Sequence, residues 1–190
     1  MSSVQSRLLN ALGLLALSFV LLSAFYDQFE GGDLPCPLCI LQRAGFAGAM
    51  VGLALNVRFG PKPSHYAVVI LSALAGSLIS VRQILLHVAP GTGSYGAELL
   101  GLHFYTWALI VYFLIVAGSA VMLMSDRQFE PQPGGAAGRT AVRGLALVAL
   151  AVSLVMVFGN GVSTVVECEG GLCPDNPTGY MMLGTQPPAP

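Results

Sequence analysis

Pro35-Cys36-Pro37-Leu38-Cys39-Ile40-Leu41-Gln42-Arg43-Ala44-Gly45-Phe46-Ala47-Gly48-Ala49-Met50-Val51-Gly52 passes from a Pro- and Cys-rich loop straight into an apolar run that continues to Val57. Only Gln42 and Arg43 interrupt the run, both at its start. Gly45, Gly48 and Gly52 place small residues on successive helical turns, which suits close helix packing in lipid. A bilayer crossing takes roughly 17–25 helical residues, so Leu41–Val57 reads as a membrane span. Four further stretches meet the same criterion: Leu8–Tyr26, Tyr66–His87, Leu102–Met124 and Ala141–Gly159. The expected fold is an all-α polytopic membrane protein, a four-helix bundle plus a fifth C-terminal span.

Composition agrees with this. Of 190 residues, 55 % are apolar and 9 % charged, at a mean hydropathy of +0.74. A soluble domain carries about 25 % charged residues. No basic stripe suggests nucleic acid. The first span could be a cleaved leader, but its apolar core exceeds the usual length and no A-x-A-like site follows. A membrane helix is the expectation there.

The basic residues orient the spans. Arg7, Arg58, Lys62, Arg127, Arg139 and Arg143 fall on one side of five crossings, which marks it as cytoplasmic. Arg43 and Arg82 lie inside spans, near their outer ends. The outer segments carry Asp27, Glu30, Asp33, Glu98, Glu167, Glu169 and Asp175. This places the N-terminus inside, the C-terminus outside, and all four cysteines in a disulfide-permissive space. The domain reading is a transmembrane unit over 1–160 and an exocytoplasmic cysteine-containing tail over 161–190. Ser125–Thr140, with Pro131, Pro133, Gly134 and Gly135, reads as a flexible cytoplasmic loop. Pro174–Pro190 reads as unpacked except where Tyr180, Met181 and Met182 anchor it.

The first cysteine pair is Cys36-x-x-Cys39. This spacing allows a small, reducible disulfide, and a helix N-terminus adds a dipole that favours the thiolate. Arg43 lies one turn deeper on the face of Cys39. Intramembrane charge is costly and usually functional, so this cation fits thiolate stabilisation, or negative charge on an electron acceptor. A zinc site and a structural disulfide remain open for the C-x-x-C alone. The second pair, Cys168-x4-Cys173, spans Gly170 and Gly171, which permit a tight or mobile loop. Its reading stands between a structural and a redox disulfide. Together the pairs make a possible relay by thiol–disulfide exchange.

Other residues have plainer readings. Arg82 must snorkel, pair or face a cavity, with Glu98 a possible partner. His103-Phe104-Tyr105-Thr106-Trp107 reads as an interfacial aromatic belt. Asn10 and Asn160, near helix ends, read as capping or hydrogen-bonding residues, and His65 as unrelated to the chemistry.

Pro-Cys-Pro-Leu-Cys-Ile-Leu-Gln-Arg after a first membrane helix resembles the DsbB-type disulfide-bond formation proteins of the bacterial inner membrane. The resemblance covers roughly residues 8–125 and includes Arg82-Gln83, Tyr95-Gly96 and Leu100-Gly101. It implies a thiol:quinone oxidoreductase with ubiquinone or menaquinone as cofactor, and a DsbA-like thioredoxin-fold protein as partner. It further implies a multi-pass protein of the inner (plasma) membrane, surrounded by lipid. Cys39 matches the cysteine facing the quinone, Arg43 the arginine beside the quinone head group, and Cys36 the cysteine that exchanges with the second pair. His87 matches a histidine near the quinone only loosely. No metal is expected. One departure is plain: the best-known members carry the second pair between helices 3 and 4, and here Cys168 and Cys173 follow a fifth helix. A vitamin K epoxide reductase-like protein also couples two cysteine pairs to a quinone, but its C-x-x-C lies late in the bundle. A membrane scaffold with structural or zinc-binding cysteines is the non-enzyme alternative.

Overall fold

The computed structural model describes residues 1–96, 98–130 and 135–186, without the side chains of 135–142. Five helices are long and apolar enough to cross a membrane. They are α1 (Ser3–Tyr26), α2 (Pro37–Phe59), α3 (Pro63–His87), α4 (Phe104–Leu123) and α5 (Gly135–Cys168). Ser2 caps α1 in a reciprocal box with Gln5, which satisfies two otherwise orphaned N–H groups. A π-helical turn, Asp27–Gly31, extends α1 outward and stops at Gly32, whose φ of 74° is left-handed. Proline opens both α2 and α3 at the first helical turn, where its missing N–H costs nothing. A two-residue hairpin, β1 (Glu98–Leu99) with β2 (Leu102–His103), leads into α4.

In space the helices follow the order α4, α3, α2, α1, α5, with α2 also touching α5 and α4. Glycine explains how closely α2 and α3 approach. A Cβ on Gly52 would stand 2.7 Å from the His65 carbonyl oxygen, and one on Gly45 would stand 3.1 Å from Gly76 Cα. The small-residue expectation for α2 therefore holds. The buried apolar core takes Ala11, Leu14, Leu17 and Leu21 from α1, and Phe46, Ala49 and Met50 from α2. Val69 and Ala73 of α3, Ala108 and Tyr112 of α4 and Ala149 of α5 complete it.

Large apolar side chains such as Leu71, Leu78, Phe113 and Phe158 point outward, while Ser6, Asn10, Asn56, Gln42 and Gln83 are buried. That distribution suits a chain solvated by lipid, provided the inner polar groups bond one another. They do at the inner end. Asn10 Nδ2 donates to the Ser6 carbonyl at 2.7 Å and to Tyr66 Oη at 3.0 Å. Asn56 Nδ2 donates to Asn10 Oδ1 at 3.0 Å. Of the two expected roles Asn10 takes hydrogen bonding, at the centre of a buried network. His65 joins it through Nδ1, 3.1 Å from Asn56 Oδ1.

The first four helices agree with the expected spans. The fifth does not end at Gly159: it runs to Cys168, and it starts before Thr140. Asn160 donates to the Met156 carbonyl and Thr164 to the Asn160 carbonyl. These polar side chains are satisfied within the helix and do not end it. Cys168 therefore sits in the last turn of α5 rather than in a free tail. Residues 131–134 of the expected loop, and 187–190 of the tail, lie outside the described residues.

Candidate redox site

Cys36 is the N-cap of α2, and its sulfur accepts from the Cys39 N–H at 3.1 Å. Cys36 and Cys39 are joined as a disulfide with Cα atoms 4.9 Å apart. A buried glutamine faces it. Gln83 Nε2 of α3 lies 3.4 Å from Cys36 Sγ and 3.5 Å from Cys39 Sγ. Gln83 Oε1 accepts from Gln42 Nε2 at 2.8 Å, and the Gln42 carbonyl accepts from the Tyr112 hydroxyl of α4. Three helices thus hold one sulfur pair at one end of the bundle. After reduction the same amide is placed to donate to a thiolate, beside the positive end of the α2 dipole.

Arg43 is one turn below, as expected, and is largely engaged. Its Nη1 donates to Gln28 Oε1 at 2.7 Å and its Nη2 to the Ala24 carbonyl at 2.9 Å. The guanidinium also stands over the Phe25 ring, 5.6 Å from its centroid. Gln28 in turn donates to Ser163 Oγ of α5 at 2.9 Å and to the Tyr180 hydroxyl at 3.1 Å. Tyr180 is therefore a tail anchor, as its aromatic character suggested. Phe25, Phe29, Phe158, Val162, Val166 and Tyr180 line an apolar cleft of about 740 Å³.

The second pair closes the end of α5. Cys168 and Cys173 form a disulfide with Cα atoms 4.6 Å apart. Glu169 (φ 52°) and Gly170 (φ 72°) turn the chain in the left-handed region, and the Gly171 N–H donates to the Cys168 carbonyl at 2.8 Å. Glu167, one residue earlier, is fully buried, and neither carboxylate oxygen has a hydrogen-bond partner among the described residues. Tyr95 donates to the Leu34 carbonyl at 2.7 Å, two residues before Cys36. Burial, then the charges of Glu167 and Asp33, push the Tyr95 phenol up to about 12. Gly32–Leu34, Ser94–Gly96 and Asn176–Thr178 share the lining of one outer cleft of about 410 Å³. The tail accordingly lies against the loop that precedes Cys36.

His87, one turn beyond Gln83 on α3, has contacts of its own. Its ring stacks on Tyr105 at 5.6 Å and its Nδ1 lies 3.2 Å from the Gly93 carbonyl. Tyr105 is buried rather than belt-like, with His103 stacked on it at 5.2 Å. Glu98 meets His103 Nε2 at 3.2 Å, which takes the role expected of Arg82; Arg82 itself is exposed. Sequence reasoning missed Gln83, Gln28 and Glu167 as site residues. Their uncharged or surface-like character offered no signal, apart from the Arg82-Gln83 pair in the resemblance.

The family described as disulfide bond formation protein DsbB matches residues 6–94. Over that segment the chain is similar to the DsbB family. Disulfide bond formation protein B of Pseudomonas syringae pv. tomato is 39 % identical over 95 residues, covering 47 % of this chain and 55 % of the relative. The protein of the same name from Methylococcus capsulatus is 39 % identical over 95 residues, covering 47 % and 58 %. That of Xanthomonas axonopodis pv. citri is 36 % identical over 84 residues, covering 42 % and 49 %. The chain thus matches about half the length of these relatives. No solved structure matches it. The matched segment takes in most of α1, α2, α3 and the Cys36–Cys39 pair, while α4, α5 and Cys168–Cys173 lie beyond it.

Proposed function

We propose that this multi-pass membrane protein is a thiol:quinone oxidoreductase that re-forms the disulfide of a DsbA-like thioredoxin-fold protein. The observation that carries this reading is the Cys36–Cys39 disulfide at the start of α2, held by Gln83 and set one turn above an intramembrane arginine. It sits in the segment that matches the DsbB family.

In this scheme the reduced partner gives two electrons and two protons to Cys168–Cys173, becoming a disulfide and leaving two tail thiols. Those thiols reduce Cys36–Cys39 by thiol–disulfide exchange. Quinone, when bound, supplies the two-electron, two-proton sink that restores the Cys36–Cys39 disulfide. The cation of Arg43 and the apolar cleft reaching Phe25 fit a flat ring with carbonyl oxygens. Arg43 stabilises negative charge there, and Gln83 stabilises the Cys39 thiolate. The cytoplasmic basic residues support a plasma-membrane orientation with both cysteine pairs on the periplasmic side. The membrane unit then carries the acceptor site and the segment after α5 carries the donor-side cysteine.

The test is a thiol titration of the purified chain with reduced DsbA, with and without ubiquinone-1 or a short-chain menaquinone. The reading requires quinone-dependent loss of DsbA thiols at a catalytic ratio. A thiol count that quinone leaves unchanged sinks it.

A further inference from the structure

The two sulfurs of the tail pair are not equivalent. Cys168 is 2 % exposed, in the last turn of α5, whereas Cys173 is partly exposed after the turn. Leu172, directly before Cys173, is 95 % exposed, the most exposed large apolar side chain among the described residues. Apolar side chains along the spans face lipid, but Leu172 lies past the outer end of α5. It is the last of the four residues, Glu169 to Leu172, in the loop that the disulfide closes after the left-handed turn at Glu169 and Gly170. The carboxylates of Glu169 and Asp175, both exposed, flank the loop and oppose its seating on an anionic lipid surface. An apolar side chain held in water beside an accessible sulfur is suited to a protein with an apolar hollow next to its own reactive cysteine.

We infer that Cys173 is the sulfur attacked by the partner, that Leu172 is the side chain that seats in the partner's hollow, and that Cys168 is the inner sulfur that passes electrons on. This rests on the relay reading above. The partner's thiolate attacks Cys173 Sγ, a partner–Cys173 bond forms, and the Cys168–Cys173 bond breaks with Cys168 leaving as a thiolate that takes up a proton. The partner's second thiol, losing its proton, then attacks the partner sulfur of the mixed disulfide. That step forms the partner's disulfide and releases Cys173 as a thiol. Cys168 is left in the last turn of α5, one residue after the buried Glu167.

The experiment uses the full chain with Cys36→Ser and Cys39→Ser, keeping either Cys173 alone (with Cys168→Ser) or Cys168 alone (with Cys173→Ser). The probe is DsbA lacking its second cysteine, activated as the thionitrobenzoate mixed disulfide. Cys173 should capture it about tenfold faster than Cys168, because access limits exchange. Adding Leu172→Ser to the Cys173 chain should slow capture roughly tenfold, the scale of a lost leucine contact. The same substitution should change the rate with a small aromatic disulfide far less. Equal capture by the two sulfurs, or faster capture by Cys168, overturns the assignment and leaves the relay standing. Equal slowing of both probes by Leu172→Ser overturns the recognition role and points to loop shape or lipid seating. If neither sulfur captures DsbA while both react with the small disulfide, the relay reading falls as well.

Discussion

Gln83 Nε2 lies within hydrogen-bonding reach of both sulfurs of one disulfide, 3.4 Å from Cys36 Sγ and 3.5 Å from Cys39 Sγ. Its other amide atom is already used by Gln42. The pair of glutamines therefore orients a donor at the sulfurs and fixes which way the amide points.

Gln83→Leu removes that donor and leaves Gln42 Nε2 buried without its partner. An unsatisfied buried polar group costs about 1–3 kcal/mol, so the melting temperature in detergent should fall. Losing a hydrogen bond to a thiolate, worth about 1.5–3 kcal/mol, should also make the Cys36–Cys39 couple more reducing, by roughly 30–60 mV. Equilibration with glutathione or dithiothreitol buffers reads this directly. An unchanged potential would mean that the amide serves packing alone.

Arg43 carries the second prediction. Arg43→Ala should reduce kcat/KM for quinone by roughly ten- to hundredfold, the scale of a charge-assisted hydrogen bond, mostly through KM. The same change removes two hydrogen bonds from α2 to Gln28 and the Ala24 carbonyl, so α1 and α2 should also separate more easily there. Arg43→Lys keeps the charge and cannot reproduce both hydrogen bonds. It should recover part of the quinone kinetics and little of the stability. Wild-type quinone kinetics in Arg43→Ala would put the acceptor elsewhere.

Much of this architecture could be read from hydropathy, and the reason is physical. Lipid forbids unsatisfied backbone in a span, so length and apolarity alone locate α1 to α4. The end of α5 was misplaced because Gly159-Asn160-Gly161 has the composition of a helix stop. In the bundle Asn160 bonds back to Met156, and the helix continues to Cys168. The cysteine motif and Arg43 were legible because their spacing is local. Gln28, Gln83 and Glu167 were not, because each meets its partners across helices far apart in sequence, as in the 135 residues between Gln28 and Ser163.

The contact of α2 with α3 gives the third prediction. A Cβ on Gly52 would press on the His65 carbonyl oxygen and the Val69 N, both backbone atoms that cannot swing aside. Gly52→Ala should therefore destabilise by about 1–3 kcal/mol, the range for overpacking. Gly118→Ala, with open space around the added carbon, should be close to neutral. Thermal unfolding of the two variants in one detergent compares them. Equal midpoints would mean that the helices are less closely packed than the structure shows.

The last prediction concerns how the two pairs meet. A free tail would reach Cys36 by length alone, but Cys168 is part of α5 and moves with it. Gln28 ties this end of the helix and the segment after it to α1, through hydrogen bonds to Ser163 and to Tyr180. Tyr95 holds the Leu34 carbonyl. Asn176–Thr178 share one cleft with Gly32–Leu34, so the segment after α5 lies against the loop that precedes Cys36, and the inner tail sulfur should be the one that exchanges with it. A chain with Cys39→Ser and Cys173→Ser retains Cys36 and Cys168 only. Under mild oxidation it should form a disulfide between them, which requires Cα atoms about 4.4–6.8 Å apart and so some movement of the helix end. A protease site introduced at residues 131–134 separates the two halves, and a non-reducing gel then shows them still joined. The companion chain keeping Cys36 and Cys173 should crosslink more slowly. Gln28→Ala, which removes both hydrogen bonds, should slow the Cys36–Cys168 crosslink as well. If no such crosslink forms, and Cys168→Ser oxidises DsbA as fast as the unaltered chain, the tail pair is a structural staple and Cys36–Cys39 receives electrons from the partner directly.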